Sequence, residues 1–349
     1  MRTVVVGDQY IPAHAYIEAL RQIAPPSFGP VTEVTWAGTK SQQHALQQRM
    51  EWQGANAVPA PPEVADGIAD AELLAVHFCP VGTDLLRAAP KLRAIAVARA
   101  GVENVDLHAA SAHGVAVFNV EGRNASGVAE LAIGLMLNEA RNIARADASI
   151  KQGGWRKDFP GARIELAGRT VGLVGFGHVG RLIARRLTGF DCRILVADPY
   201  VPQEKLAAHG AVSASLEELF AAADFISVQA KLTPETERFI GAELFALMKP
   251  TAYFVNVGRS RLVDYAALYD VLASGRIAGA GLDVHDDEPL PSNSRWRSLD
   301  NVTMTTHFGG DTMETTLRSA RLAAEVLVAF ARNGAKAHAV NARELGVAS

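Results

Sequence analysis

Between residues 170 and 187 the chain reads Thr170-Val171-Gly172-Leu173-Val174, then Gly175-Phe176-Gly177-His178-Val179-Gly180, then Arg181-Leu182-Ile183-Ala184-Arg185-Arg186-Leu187. A β-branched run, a GxGxxG turn and an amphipathic stretch in that order admit few folds. The first glycine allows a tight turn, the second lets a pyrophosphate approach the backbone, and the third lets the helix pack on the strand. Free N–H groups at the helix start, those of His178 and Val179, would face the phosphates. The hexapeptide alone is weak, because turns often need glycine; the flanking strand and helix give it weight. The following strand, Arg193–Ala197, ends at Asp198, eighteen residues after Gly180. A carboxylate there would accept both ribose hydroxyls of an adenosine and repel a 2′-phosphate, which favours NAD over NADP. The competing reading of Asp198 is a turn residue ahead of Pro199.

The same alternation extends over most of the chain. Short apolar runs at Thr3–Val6, Val31–Trp36, Leu73–Phe78, Arg93–Ala98 and Val115–Asn119 predict one set of strands. Thr170–Val174, Arg193–Ala197, Asp224–Val228, Tyr253–Val257, Ile277–Leu282 and Val302–Thr305 predict a second. Helical patterns fall between them at Ala13–Ile23, Ser41–Gln53, Thr83–Ala89, Gly180–Thr188, Leu216–Ala222, Ala242–Leu247, Asp264–Ser274 and Thr312–Arg332. One long buried helix is expected from Ser126 to Gln152, ended by Gly153-Gly154, and the proline-rich Ala57–Pro62 is expected as loop. At roughly 150 residues per domain, 349 residues make about two domains. The prediction is α/β, two doubly wound parallel-sheet domains.

Charge and cysteine content narrow the partners. Thirty-four basic and 37 acidic residues give a net charge of −3, which provides no bulk attraction to nucleic acid or an anionic membrane. The two cysteines, Cys79 and Cys192, form no CxxC pair, so structural zinc and a disulfide framework are not expected. The opening apolar run is too short for a signal-peptide core, and nowhere do about 18 apolar residues run together. A soluble, cytoplasmic protein is the expectation.

Hydride transfer between a nicotinamide and a carbonyl further needs a proton donor and a cation to orient the substrate. Three segments at C-terminal strand ends offer these groups: Asn256-Val257-Gly258-Arg259-Ser260, Asp283-Val284-His285-Asp286-Asp287-Glu288-Pro289 and Thr305-Thr306-His307-Phe308-Gly309-Gly310. An arginine after a strand, a Glu-Pro and a His-x-Gly-Gly, in that order, resemble the D-isomer-specific 2-hydroxyacid dehydrogenase family, which includes phosphoglycerate, glyoxylate/hydroxypyruvate and D-lactate dehydrogenases. The likeness extends from the Ala100–Asp106 loop to Gly310. It implies a Rossmann NAD-binding domain at 120–310 and a flavodoxin-like substrate domain made of 1–119 and 311–349.

The resemblance also implies roles. Arg259 would bind the substrate's carboxylate and carbonyl, and His307, paired with Glu288, would be the acid in reduction and the base in oxidation. The implied cofactor set is Gly175, Gly177, His178, Val179, Gly180, Asp198, Ala230, Val257, Gly258, Asp283 and Gly310. Gly101 and Val102 match a loop whose backbone N–H groups hold the substrate carboxylate; His77 and Phe78 match a substrate-facing loop. Trp155 matches a tryptophan beside the family's dimer interface, implying a homodimer; a packing tryptophan is the other reading. Asp286 and Asp287 compete with Glu288 for its role. A metal site built from Asp283 to Glu288 is not expected, because consecutive residues of an extended segment point to alternate sides.

Thr306 stands where the family commonly has proline, Gln229-Ala230-Lys231 where it often has His-x-Pro, and His178 where arginine is frequent. Arg123, His77 and Phe78 hint at a polar, sugar-derived or phosphorylated acid. From a different class, an NAD(H)-sensing binding protein like the C-terminal-binding-protein corepressors keeps the same triad. Formate dehydrogenase carries glutamine where Glu288 stands.

Overall fold

The structure is a computed structural model that describes residues 1–347 except Pro160 and Ala162. Ala348 and Ser349, the end of the expected substrate domain, lie outside the described residues. The chain forms two compact units, Met1–Arg123 with Asp311–Ser349, and Asn124–Gly310.

In the first unit, strands β1 (Thr3–Gly7), β2 (Val31–Thr35), β3 (Leu73–Val76), β4 (Ala94–Val97) and β5 (Ala116–Asn119) form a parallel sheet in the order β2-β1-β3-β4-β5. This is the flavodoxin-like order, with its switch point between β1 and β3. Successive residues of β1 serve opposite faces, as the pleat demands: Val5 joins Tyr16, Leu20 and Leu327, whereas Val4 and Val6 join Val64, Ile68 and Leu85. The helix Met313–Asn333 lays Ala320, Ala323, Ala324 and Leu327 on this sheet, a stripe at helical spacing. The Thr312 hydroxyl caps its start by accepting from the Thr315 N–H at 3.1 Å.

The second unit holds β6 (Thr170–Val174), β7 (Arg193–Ala197), β8 (Ala211–Ser213), β9 (Phe225–Val228), β10 (Tyr253–Asn256), β11 (Gly279–Leu282) and β12 (Val302–Met304), all parallel, in the order β12-β11-β10-β9-β6-β7-β8. The order reverses between β9 and β6, where doubly wound sheets open a crevice at the carboxyl ends. The glycine loop leaves β6 at that point. The helix Ala125–Arg141 packs Ala129, Ala132 and Met136 onto one face, and Leu219, Phe220, Phe245 and Leu268 cover the other.

Several elements differ from expectation, the short helices Leu107–Ala112 and Gln203–Ala207 among them. The single helix predicted from Ser126 to Gln152 is two, Ala125–Arg141 and Ile143–Lys151. Asn142 between them is left-handed (φ 54°), a conformation asparagine tolerates better than most residues. The Asn138 side chain accepts from the Ala144 N–H at 2.8 Å, satisfying a donor of the second helix. Strand β8 has only three residues, too few to show a period. Pro62, expected at the end of a loop, starts the helix Pro62–Gly67, where a missing N–H is harmless. Among the described residues no helix is long and apolar enough to cross a membrane.

Candidate active site

The glycine loop shows why each glycine stands where it does. Gly175 has φ +93°, and a Cβ there would lie 2.7 Å from the Cα of Ala230. A Cβ on Gly180 would lie 2.4 Å from the Gly175 carbonyl, so this position sets how closely helix His178–Leu187 approaches the turn. At Gly177 a Cβ would meet nothing within 4 Å, and φ is −73°. The protein itself places no demand for glycine at 177; a ligand pressed against the backbone would. Gly177 and His178 are exposed and Val179 half-buried at a helix start that no side chain caps, which fits a pyrophosphate on free N–H groups.

Asp198 lies at the end of β7, its Oδ2 accepting from the Phe176 N–H at 2.7 Å and its Oδ1 from the Tyr200 N–H at 3.0 Å. It thus forms the turn ahead of Tyr200 and braces the glycine loop. A carboxylate has about four lone-pair sites, so two more hydrogen bonds could be accepted here. Gln229, one of the departures from the family pattern, is a second brace: its Nε2 donates to the carbonyls of Gly175 (2.8 Å) and Val174 (3.1 Å). Ala230 follows directly under Gly175.

Past β10, the buried Asn256 orders the turn that carries Arg259. Its Oδ1 accepts from the Gly258 N–H (3.0 Å) and its Nδ2 donates to the Arg259 carbonyl (3.1 Å). Val257 is buried, and the exposed Arg259 guanidinium donates to the Gly258 carbonyl at 2.9 Å. Past β11, the three consecutive acids separate by what they touch. Asp286 bonds to Ser260, whereas Glu288 reaches the catalytic-candidate histidine, its Oε2 accepting from His307 Nδ1 at 2.8 Å. The other oxygen, Oε1, accepts from the His285 N–H at 3.0 Å.

Asp283, 2% exposed, turns its carboxylate onto the His307 segment. It accepts from the Thr305 hydroxyl (2.6 Å) and from the N–H groups of Phe308 (3.1 Å) and Gly309 (3.0 Å). Residue 309 must be small, since a Cβ there would lie 2.9 Å from Asp283 Oδ2; at Gly310 a Cβ would lie 2.5 Å from the Asn124 amide. The second unit therefore brings Gly175, Asp198, Arg259, Asp283, Glu288 and His307 to the carboxyl ends of one sheet.

In the first unit, His77 and Phe78 follow β3 at the switch point. His77 is 1% exposed and its Nδ1 donates to Asp8 Oδ2 at 3.0 Å. Asp8, directly after β1, also accepts from the N–H groups of Tyr10, Ile11 and Phe78. Phe78 stacks on the His77 ring and lies under the Arg99 guanidinium, 5.0 Å from the ring centre. Arg99, 8% exposed, pairs with Glu51 at 2.7 Å and Glu103 at 3.5 Å. Glu103 folds over the loop of Gly101 and Val102, its Oε2 2.3 Å from where a Gly101 Cβ would lie. Asp8, Arg99 and Glu51 escaped the sequence reading. Asp8 had one available signal, its place at a strand end beside the switch point; Glu51 sits on a polar helix with none.

Burial pushes the His77 imidazole down to about 4, against the opposing pull of Asp8. Burial raises Asp8, but His77 and the surrounding N–H groups hold it below its ordinary value. Between about pH 6.5 and 4 the unfolded chain therefore binds a proton at His77 that the folded one refuses. Stability from this group is complete above 6.5 and lost as pH falls, on the order of 3 kcal/mol at most. The wild-type Tm should drop steeply across that window and His77→Gln, which keeps a donor for Asp8 but does not titrate, should drop less. Parallel Tm curves for the two proteins would exclude this linkage.

Comparison with known proteins agrees with the resemblance. Residues 133–309 match the family model described as D-isomer specific 2-hydroxyacid dehydrogenase, NAD binding domain. The chain is 40% identical over 282 residues to the D-3-phosphoglycerate dehydrogenase of Methanocaldococcus jannaschii, covering 80% of this chain and 53% of that protein. It is 35% identical over 289 residues to the glyoxylate reductase of Korarchaeum cryptofilum, covering 82% and 87%. The apo structure of D-lactate dehydrogenase from Escherichia coli aligns with a TM-score of 0.70 at 26% identity, covering 92% and 94%. The chain belongs to the D-isomer-specific 2-hydroxyacid dehydrogenase family, and its second unit carries that family's NAD-binding domain. It spans about half the length of the phosphoglycerate dehydrogenases it matches.

Proposed function

We propose that this protein interconverts a D-2-hydroxy acid and its 2-keto acid, with NAD as the hydride carrier. The observation that supports this most is the His307–Glu288 contact of 2.8 Å, at the carboxyl end of the sheet whose switch point carries the glycine loop. With Glu288 on Nδ1, the proton exchange with substrate is assigned to Nε2. A facing carboxylate stabilises the imidazolium, so His307 protonates the keto oxygen in reduction and takes the hydroxyl proton back in oxidation. Bound NAD supplies the hydride acceptor or donor.

Arg259 offers a planar fork of donors that suits a carboxylate with an adjacent carbonyl oxygen better than an ammonium would. Gly175, Gly177, His178, Val179 and Gly180 would hold the pyrophosphate and Asp198 the adenosine ribose, which favours NADH over NADPH. Ala230, Val257, Gly258, Asp283 and Gly310 complete the assigned cofactor set. The first unit takes the substrate-domain role, with the N–H groups of Gly101 and Val102 on the substrate carboxylate and the loop of His77 and Phe78 beside it.

Beside Gly101, the guanidinium of Arg99 is covered while Glu51 and Glu103 are 29% and 43% exposed. A solute approaching this loop meets carboxylate. Substrates with an uncharged tail, glyoxylate and hydroxypyruvate, are therefore favoured over phosphorylated ones. The homodimer is supported by Trp155, Ile143 and Ile150, which are 75%, 55% and 56% exposed on or just past a helix that buries none of its residues. Sedimentation as a monomer at assay concentrations would remove it.

The test is NADH oxidation with a panel of 2-keto acids, with NADPH in parallel. Turnover of the small uncharged acids with NADH, and at least tenfold lower kcat/KM for phosphohydroxypyruvate, is expected. Silence across the panel with NADH still bound would favour the sensor reading over the enzyme.

A further inference from the structure

Strand β12 pairs with β11 only as far as Met304, and the Thr305 N–H still donates to the Leu282 carbonyl at 2.9 Å. Beyond that point the His307 segment has left the sheet. His307 has φ +55°, a conformation that is uncommon outside glycine and persists only where the surroundings hold it. Something other than the β-ladder must fix this segment against the loop that carries Glu288.

Three residues of the 283–288 loop reach across to this segment. Asp283 holds Thr305, Phe308 and Gly309, and Glu288 holds the His307 ring. The third is His285, a half-buried residue that the proposed mechanism does not use. Its Nε2 lies 2.8 Å from the Thr305 carbonyl. A carbonyl only accepts, so Nε2 carries the proton. This donor survives in both the neutral Nε2–H tautomer and the imidazolium, and the tie is therefore insensitive to whether His285 is charged.

The same residue acts on the other partner of the pair. The His285 backbone N–H donates to Glu288 Oε1, leaving Oε2 for His307. One residue thus anchors the acid through its backbone and the histidine's segment through its ring. We propose that His285 is a positioning residue that sets the Glu288–His307 contact. This inference rests on the acid–base reading of His307, which it deepens. Asp286 and Asp287, next along the chain, are exposed, and Asp286 is engaged by Ser260. Neither substitutes for the ring's donor to Thr305.

The test uses His285→Phe, which keeps an aromatic ring and the backbone N–H but removes the Nε2 donor, and His285→Gln, whose amide offers a donor at similar reach. With the keto acid that the wild type reduces, His285→Phe should lower kcat on the order of tenfold, the scale of an orphaned half-buried acceptor. The high-pH limb of its kcat profile should move toward acid, because a misaligned Glu288 favours the protonated ring less. NADH Kd should stay within about twofold, and His285→Gln should recover most of both losses.

A second readout does not depend on turnover. The His307 Nδ1 proton, held by Glu288, should give a protected imidazole resonance in wild type and His285→Gln, and a broadened or exchanging one in His285→Phe. A wild type that turns over no keto acid would overturn the proposed function, and this resonance would then decide the role of His285 alone. His285→Phe with unchanged kcat, limb and resonance would overturn the positioning role. So would a lower kcat with limb and resonance unmoved, or a His285→Gln variant as impaired as His285→Phe. If His285→Phe fails to fold, a His285→Gln that matches wild type in limb and resonance supports the role, and one that does not overturns it.

Discussion

Replacing His307 with Gln should lower kcat for keto-acid reduction by two to four orders of magnitude, the range that general acid catalysis contributes. The glutamine amide can hydrogen bond to a carbonyl oxygen but cannot give up a proton at neutral pH. NADH binding should survive, because the glycine loop and Asp198 depend on β6 and β7, not on this segment. The left-handed backbone at 307 calls for a control that tolerates it well, and His307→Asn serves. If both variants lose turnover alike, the loss belongs to the proton and not to strain.

Glu288→Gln should be milder than either. Its side-chain oxygen still accepts from Nδ1 and orients the ring, but the charge that favours the imidazolium is gone, so reduction should fail at a lower pH than in wild type. Arg259→Ala should cost turnover on a scale similar to His307, and Arg259→Lys should recover little, because a single ammonium cannot make the planar double contact. Single-turnover NADH oxidation separates these losses from slow product release. Wild-type rates in His307→Gln and Arg259→Ala together would end the dehydrogenase reading.

What the chain disclosed in advance follows from how local each signal is. A strand, three glycines, a helix and an acid at the next strand's end all lie within 29 residues, from Thr170 to Asp198, and each answers either to backbone geometry or to the ligand expected against it. Short apolar runs separated by helical periods likewise point to two doubly wound sheets. Pairings across long separations left no such trace. Asp8 meets His77 across 69 residues, and Glu51 meets Arg99 across 48. Nothing in their immediate neighbours marks either acid as special.

The choice of Glu288 among three acids came from the Glu-Pro resemblance, and the residues themselves left it open. It depends on the His285 N–H and on the direction in which the segment after β11 turns, which only tertiary structure supplies. Asn142 shows the converse case: an asparagine inside a good helical pattern is compatible with continuing, and the break follows from how Asn138 and Arg145 bond around it. Arg145 donates to the Asn142 side chain at 3.2 Å and to the buried Glu139 at 3.0 Å. Those bonds secure a kink that no period could reveal.

The glycine loop offers a prediction in which two neighbouring substitutions should fail in opposite ways. Gly175→Ala places a Cβ 2.7 Å from Ala230 Cα and 2.8 Å from its nitrogen, at φ +93°. The neighbour is backbone, and Gln229 ties it to the Gly175 and Val174 carbonyls, so neither side gives way easily. Left-handed strain of about 1–3 kcal/mol, with overpacking of similar size, should lower Tm by several degrees and unsettle the whole turn. Gly177→Ala meets no atom within 4 Å at an ordinary φ of −73°, so its Tm should match wild type. Its NADH Kd should nonetheless rise tenfold or more, because the methyl occupies the side from which a pyrophosphate would approach. Differential scanning fluorimetry and NADH fluorescence titration measure the two effects on one preparation. A Gly177→Ala protein that is stable and binds NADH as tightly as wild type would show that the cofactor's phosphates do not lie against this backbone.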